Sequence, residues 1–290
     1  MAHGHEDLDV WKKAIPNEAM DYEFLMDGLL ALSSLHMAVL NPEARLAHME
    51  VAVQYQNLGL ARFKTALENI TENNCHALFA FSVIITVLSF AVSGAGLDQP
   101  FSSPTESLFS VSQLLQGVTM IHRTSRELLI AGKFKELFYL AMNTPEGVPD
   151  EDVTAAMLRL RERAGQLAKY NGPDRHQIYL SGIDSLETAF ARTAGLVNMT
   201  PVVGWSRSVG ESLMTLFKEG DPMAQLIFVH YGVLLLRIHD RWWGRNLGLR
   251  LVESLVESLQ AVDPEWSYWT QWARDKAVLV GQLEHSEGGI

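Results

Sequence analysis

Two histidines, a tyrosine and an aspartate lie close together in the segment IFVHYGVLLLRIHDRWWGRNLG, residues 227–248. An imidazole beside a phenol, as at His230 and Tyr231, can donate hydrogen bonds to a ligand oxygen or exchange protons near neutral pH. His239 and Asp240 add a second acid–base pair towards the end of the segment. These four residues are the candidates for catalysis if the chain is an enzyme.

The same residues also have a purely structural explanation. Asp221 and Pro222 are typical of a helix start, and the apolar stem that follows predicts a mostly buried helix. In such a helix, His230 and Tyr231 would be core groups whose hydrogen bonds are satisfied. Gly232 would leave room for a neighbouring helix or for a ligand. The residues alone leave the chemical and the structural interpretation open.

Other kinds of chemistry find little support in the sequence. The single cysteine, Cys75, excludes an intramolecular disulfide and a cysteine-rich zinc site. No HExxH or GxSxG motif is present, and His3 and His5 lie at a terminus that we expect to be mobile. The formal charge of -11 opposes a broad phosphate-binding surface. We therefore expect no metal, no cofactor and no direct binding of nucleic acid by this chain.

Helix signals recur along the chain, whereas strand signals are scarce. Pro, Asn, Asp and Glu precede segments of roughly 15 to 25 residues with helical spacing of apolar residues. With 48% hydrophobic residues, the sequence predicts one all-α domain over residues 11–283, with flexible ends at 1–10 and 284–290. Segments rich in proline, at 97–107 and 143–152, predict loops between an N-terminal layer and a C-terminal bundle.

Three helices of the N-terminal half are predicted in more detail. Residues 77–97 are uncharged and about as long as the roughly 20 residues of a bilayer span, but their serines and threonine, and the absence of flanking basic clusters, favour a buried helix and no stable membrane span. Residues 23–40 are apolar on most sides and predict a central helix. Residues 44–70 predict a covering helix that buries Leu46, Met49, Val53, Leu60, Phe63 and Leu67.

Aromatic residues are more abundant than a few amphipathic helices need for mutual contacts. They are compatible with an apolar cavity between helices and equally with a densely packed core. The residues in question are Phe79, Phe81, Phe90, Phe134, Phe138, Phe190, Trp205, Phe217, Trp242 and Trp243.

Several blocks of the chain resemble one known family. They are FLMDGLLALSSLHMA (24–38), ENNCHALFAFSVI (72–84), LLQGV (114–118), DPMAQLIFVHYGVLLLRIHDRWW (221–243) and AVDPEWSYWTQWA (261–273). In this order they are similar to the C-terminal regulatory domain of fungal sterol uptake control transcription factors, which are binuclear zinc cluster regulators. The resemblance extends over nearly the whole chain.

The resemblance implies a helical effector domain that holds a sterol in an apolar pocket. In that family, occupancy of the pocket controls nuclear entry and activation, which implies a location in the cytoplasm, the nucleus or both. Here the ligand would be a sterol, a terpenoid or a polyketide. The resemblance places the pocket lining at Ile227, His230, Tyr231, Leu234 and Leu235, with Phe79, Phe81 and Ile85 from the earlier block.

The chain also departs from the family's pattern. The six cysteines of the zinc cluster are absent, so this chain is not expected to bind DNA in the family's way. Asp27 stands where the family commonly has a histidine, and Ser206 where it commonly has a proline. Arg245 and Asn246 interrupt the usual sequence after the tryptophan pair. These changes bear on the identity of the ligand more than on the fold.

Three functions follow as hypotheses. The first, which the resemblance favours, is a ligand-binding effector domain that regulates sterol or secondary-metabolite genes. The second is a stand-alone, cofactor-free cyclase or isomerase that uses the same pocket. The third is an interaction module, with a possible homodimer whose surface would be formed by Trp266, Tyr268, Trp269 and Trp272.

Overall fold

The structure is a computed structural model in which all the regular elements of the described residues are helices. The described residues are 9–94, 125–132, 134–135, 147–194 and 199–287. The all-α prediction is confirmed, because these ranges contain no strand. The predicted loop at 97–107 lies outside them, as do most of the two termini that were expected to be flexible.

The described residues belong to two compact units. Of the described residues, unit 1 contains 9–94, 125–132, 134–135 and 241–243, and unit 2 contains 147–194, 199–240 and 244–287. The single domain over 11–283 stays a prediction.

Unit 1 is built from helices with short connections. A π-helical stretch at Val10–Ala14 leads into α1, and a 3-10 turn at Pro42–Ala44 precedes α3. Residues 125–131 are also helical. The labelled helices are α1 (Ile15–Ala19), α2 (Glu23–Leu40), α3 (Arg45–Leu67) and α4 (Cys75–Gly94).

The helix α4 forms the core of unit 1. Its phenylalanines Phe79, Phe81 and Phe90 are at most 1% exposed. Both α2 and the segment Cys75–Val92 are long and apolar enough to cross a membrane, but 78% of Cys75–Val92 is buried within the structure. The core helix of a soluble protein has the same length and composition. The sequence predicted a buried helix for this segment, and the segment is mostly buried.

The predicted buried face of α3 is wrong at two of its six residues. The other four are half-buried, and the Phe63 ring lies 4.7 Å from that of Phe81. Leu46 is 75% exposed and Val53 is 50% exposed, whereas the buried positions of the helix are Ala52 and Gly59. A Cβ atom at Gly59 would lie only 2.9 Å from the ring of Phe81. The small residues therefore set the contact face, because they allow α3 to approach its neighbours closely.

Unit 2 contains the longer helices. They are α5 (Glu151–Arg192), α6 (Met199–Ser208), α7 (Glu211–Lys218), α8 (Pro222–Leu235), α9 (Leu247–Val262) and α10 (Trp266–Glu287). A 3-10 turn at Leu236–Ile238 extends α8.

The helix α5 is a hairpin of two antiparallel arms. Gly172 has φ 77° and Pro173 follows it, so the chain reverses at a residue without a side chain and resumes at one without an amide hydrogen. His176 Nδ1 lies 3.2 Å from the carbonyl oxygen of Ala164. Residues 12 apart in sequence would be about 18 Å apart along a continuous helix, so this contact requires the reversal.

The helix α8 lies in the core of unit 2 and starts where the sequence predicted. Asp221 caps it, because its Oδ1 accepts a hydrogen bond from the Ala224 amide at 2.9 Å. Gly232 faces Gly248 of α9, and a Cβ on Gly248 would lie 2.6 Å from the Gly232 carbonyl oxygen. The space at Gly232 is thus occupied by a neighbouring helix.

Candidate functional site

The residues predicted to line a ligand pocket are buried core residues. Each is at most 4% exposed. Ile227, His230, Tyr231, Leu234 and Leu235 belong to unit 2, and Phe79, Phe81 and Ile85 belong to unit 1. None of them lines either of the two cavities described below.

His230 makes a local hydrogen bond and a ring contact. Its Nδ1 lies 2.9 Å from the Leu226 carbonyl oxygen, to which it donates, and its ring stacks on Trp272 with centroids 5.2 Å apart. Burial lowers the pKa of His230 to about 4, an effect that the hydrogen bond to Leu226 opposes and the charge of Arg159 reinforces. The imidazole is therefore neutral at pH 7.

This pKa predicts a loss of stability in acid. In the unfolded chain the pKa returns to 6.5, so as the pH falls below that value the unfolded state binds a proton that the folded state takes up only near pH 4. Between pH 7.5 and 5, we expect His230 to lower the free energy of unfolding by about 2 kcal/mol. Chemical denaturation of the wild type and of His230→Asn at both pH values measures this contribution.

The His230→Asn variant keeps a donor for Leu226 but does not titrate in this range. Its stability should therefore change less between the two pH values than that of the wild type. Equal changes in the two proteins would contradict the assignment of the titration to His230.

Tyr231 is likewise a core group. Its hydroxyl donates to the Val202 carbonyl oxygen at 3.0 Å, and its ring lies 4.5 Å from Trp205. Burial raises the pKa of Tyr231 above its ordinary value, so the phenol stays protonated. Both His230 and Tyr231 therefore have the satisfied hydrogen bonds that the structural interpretation expected of core groups.

His239 and Asp240 follow the 3-10 turn after α8, and the structure does not group them with His230 and Tyr231. The His239 amide donates to the Leu236 carbonyl oxygen at 3.1 Å, and the Asp240 side chain is exposed. His239 follows His230 by nine positions, which corresponds to about 13 Å along a helix. The four candidate acid–base residues therefore do not form one constellation.

A cavity of about 490 Å³ lies elsewhere in unit 2. The two ends of α5 contribute to its wall, as do the C-terminal end of α8 and the face of α10 that bears Trp272. It is lined by Asp150, Val153, Phe190, Thr193, Ala194, Val233, Leu236, Arg237, Trp272, Lys276, Leu279 and Val280. His230 lies behind this wall, since it stacks on the indole of Trp272.

Arg237 supplies one polar group of the cavity. Its guanidinium donates to the carbonyl oxygen of Thr193 at 2.7 Å and to the Thr193 hydroxyl at 2.9 Å, and it pairs with Asp150 at 3.2 Å. Its carbon Cζ lies 5.4 Å from the centre of the Phe190 ring. Burial lowers the pKa of Arg237, while the charges of Asp150 and Asp152 oppose that change.

Lys276 and Asp152 form a second ion pair beside the cavity. The distance from Lys276 Nζ to Asp152 Oδ2 is 2.8 Å, and Trp272 Nε1 donates to the same oxygen at 2.9 Å. The hydrogen bond from Lys276 is the main cause that lowers the pKa of Asp152. Trp272 is thereby held by a carboxylate on one edge and by the His230 ring on its face.

The sequence pointed to the helix α8, but the residues of α8 that line this cavity are not the predicted ones. Val233 and Arg237 lie on the face adjacent to the predicted one, and Arg237 is a charge in an otherwise apolar stem. That isolated charge was the one available signal. Asp150 and Asp152 lie in the segment 143–152 that was predicted as a loop, whereas the helix α5 begins at Glu151.

The predicted aromatic interface is wrong in most of its members. Trp266 and Trp269 are 5% and 9% exposed, and their rings lie 4.6 Å and 5.2 Å from the guanidinium of Arg163. Tyr268 alone of the four is largely exposed, at 66%. Trp266 and Trp269 therefore make contacts within unit 2.

Metal ligands were not expected from the sequence. Within the described residues, no group of three or more His, Cys, Asp or Glu is placed to hold an ion. His3 and His5 lie outside those residues.

Comparison with known proteins identifies fungal regulators as relatives. Residues 1–101 match the family described as fungal specific transcription factor domain. A Zn(2)-C6 fungal-type transcription factor of Gibberella zeae is 22% identical over 94% of this chain and 57% of its own length. Sterol uptake control protein 2 of Saccharomyces cerevisiae is 37% identical over 89 residues, which are 30% of this chain and 9% of that protein.

The predicted resemblance to fungal transcription factors is therefore confirmed. The chain spans little more than half the length of the Gibberella relative.

Proposed function

We propose that the chain is the regulatory part of a fungal transcription factor and that it binds a sterol or another hydroxylated hydrophobic metabolite in the cavity of unit 2. The family match and the two relatives support the regulatory role, and the name of the yeast relative supports a sterol as the ligand class. A protein with this role acts in the nucleus or moves there from the cytoplasm. The cavity lined by Arg237 and Trp272 is the observation that carries the proposal.

The size of the cavity suits a compact apolar ligand. Its volume of about 490 Å³ falls in the range of roughly 300 to 1,000 Å³ that small-molecule sites occupy. Phe190, Val233 and Leu279 provide apolar wall. Removing several hundred Å² of ligand surface from water at about 25 cal/mol per Å² gives several kcal/mol of binding free energy.

The polar groups at the cavity favour a hydroxyl over a carboxylate as the ligand's polar end. Arg237 and Lys276 carry two positive charges, and the nearby Asp150 and Asp152 carry two negative ones. Both cations are already paired with an acidic group, so a carboxylate would compete with Asp150 and Asp152 for them, and the chain's charge of -11 opposes an anion further. A hydroxyl can donate to Asp150 and accept from Lys276, so it matches both signs.

Ligand binding in this cavity would act on the packing of unit 2. The wall comes from three helices, so an occupied cavity favours the arrangement in which α5, α8 and α10 enclose it. A ligand shifts such an equilibrium by the difference between its affinities for the two arrangements. Occupancy could in this way be passed to a transcriptional output.

A substitution at the cavity mouth tests the site. Leu279 lines the cavity and is 57% exposed, so Leu279→Trp should fill part of the volume without disturbing the core. We expect sterol binding to weaken at least about tenfold, which corresponds to about 1.4 kcal/mol. Isothermal titration with a cyclodextrin-solubilised sterol measures the affinity.

Leu158→Trp is the matched control, because Leu158 is 60% exposed and does not line the cavity. It should bind the sterol as the wild type does. Equal weakening in both variants would remove the cavity as the site, and a wild type that binds no sterol, terpenoid or polyketide would overturn the proposed function.

A further inference from the structure

A second concave surface lies on unit 2, along the hairpin of α9 and α10. It is a groove of about 480 Å³, and it shares no residue with the ligand cavity. It is lined by Leu249, Val252, Glu253, Val256, Glu257 and Gln260 from α9 and by Arg274, Ala277, Val278 and Gly281 from α10.

The floor of this groove is apolar and its two edges differ in charge. Val252, Val256 and Ala277 are buried floor residues, and Gly281 keeps the groove open because no atom lies within 4 Å of the position of a Cβ there. The α9 edge carries the exposed carboxylates of Glu253 and Glu257. The α10 edge carries the exposed guanidinium of Arg274.

The opposite charges stand at the same level of the groove. Gln260 Nε2 donates to Ser267 Oγ at 3.1 Å and so fixes the register of the two antiparallel helices. Glu253 lies seven residues before Gln260, and Arg274 lies seven residues after Ser267. With a rise of 1.5 Å per residue, both side chains lie about 10 Å along the groove from that hydrogen bond.

We infer that this groove pairs with the same groove of a second copy of the chain. Consider a two-fold axis that runs along the groove in the plane of contact. It places the α9 edge of one copy opposite the α10 edge of the other and leaves each residue at the same position along the groove. Arg274 of each copy then faces Glu253 of the other, and the apolar floors meet between two such ion pairs. An axis across the groove would instead oppose like charges, so the charge pattern selects one arrangement.

The surface suits self-association better than the binding of an unrelated helix. A partner helix would have to carry acidic and basic groups on opposite edges of its apolar face, whereas the chain's own groove already does so. Val278, at 57% exposure, provides an apolar side chain that a second copy can cover. In water such an exposed residue gains most from a contact that is also apolar.

The size of the groove sets the strength of the contact. A face about 24 Å long, from the 16 residues of α9, and about 20 Å wide offers less than the roughly 800 Å² per partner of a standard interface. Interfaces below the standard size are typical of weak, transient complexes, so we expect a reversible dimer that dissociates on dilution.

Charge reversal at the two edges tests the arrangement. At 0.15 M salt, which screens the repulsion between two copies of charge -11, sedimentation velocity of the full chain should show an average mass that rises above 32.4 kDa with concentration. Glu253→Arg and Arg274→Glu should each weaken dimerisation at least about tenfold. Both side chains are exposed, so circular dichroism and the thermal transition should stay unchanged.

Mixing gives the most specific result. At the level where Glu253 and Arg274 stand, Glu253→Arg carries a base on both edges and Arg274→Glu carries an acid on both. An equimolar mixture should therefore associate at least about tenfold more tightly than either variant alone. The double variant should regain the wild-type dimer, because its edges again differ in sign. A wild type that stays monomeric to 0.5 mM, single variants that dimerise as the wild type does, or a mixture without association would each overturn the inference.

The outcome is independent of the proposed ligand site. If the wild type binds a sterol but stays monomeric, the dimer is contradicted and the proposed function is not. If it dimerises but binds no ligand, the proposed function is contradicted and the dimer is not.

Discussion

Phe228→Ala is expected to lower the free energy of unfolding by about 3 to 5 kcal/mol. Phe228 is fully buried in α8 and stacks on Phe217 with ring centroids 3.8 Å apart. Its ring also meets Trp205 and Tyr231 edge-on at 5.1 Å and 6.1 Å. Truncation removes these contacts and leaves a cavity that three large rings cannot fill without moving.

Chemical denaturation of the purified chain, followed by circular dichroism, measures the change. Tyr268→Ala is the control, because Tyr268 is another aromatic residue of unit 2 but is 66% exposed. Its replacement should cost less than about 1 kcal/mol. A loss of similar size in both variants would mean that the cluster around Phe228 does not stabilise unit 2 as described.

Gly248→Ala is expected to cost about 3 kcal/mol or more, although it adds a single methyl group. The new Cβ would lie 2.6 Å from the Gly232 carbonyl oxygen and 2.9 Å from the Leu236 amide nitrogen. Both are backbone atoms, so they cannot move aside as the end of a side chain can. The helices α8 and α9 would have to separate, which removes buried contacts along both.

Gly165→Ala is the matched control for this substitution. Gly165 lies within an arm of α5, and no atom lies within 4 Å of the position of a Cβ there. Alanine should therefore stabilise the chain by about 0.5 to 1 kcal/mol, since it restricts the unfolded backbone. Thermal or chemical denaturation should show opposite signs for the two variants, and a neutral Gly248→Ala would contradict the close crossing of α8 and α9.

Local signals made some elements predictable from the sequence. Asp221 and Pro222 predicted the start of α8, and the uncharged run from residue 77 predicted a buried helix. Both signals lie within a few residues of the element that they predict. The blocks that resemble fungal transcription factors indicated a role in transcription regulation, which no spacing of residues contained. The hydrogen bonds of His230 and Tyr231 also match one of the two interpretations that the sequence left open.

Other features depend on which helices pack against each other, and short stretches of sequence do not indicate this. Leu46 and Val53 were taken as part of the buried face of α3, whereas the contact with Phe81 is made on the side that carries Gly59 and Phe63. The cavity around Arg237 needs Asp150 and Lys276, which are far from it and from each other in sequence. Such a cavity arises only from tertiary packing, so periodicity along one helix located α8 but not the face that lines the cavity.

The order of the cavity's wall residues along the chain has a consequence for synthesis. The wall begins at Asp150 and is completed by Trp272, Lys276 and Val280 of α10. Because the ribosome delivers the chain from its N-terminal end, the first arm of α5 emerges long before its last wall partners. Under the proposed function, a metabolite would find the complete wall only after residue 280 has left the exit tunnel, so it would stabilise unit 2 only in chains that are almost fully translated.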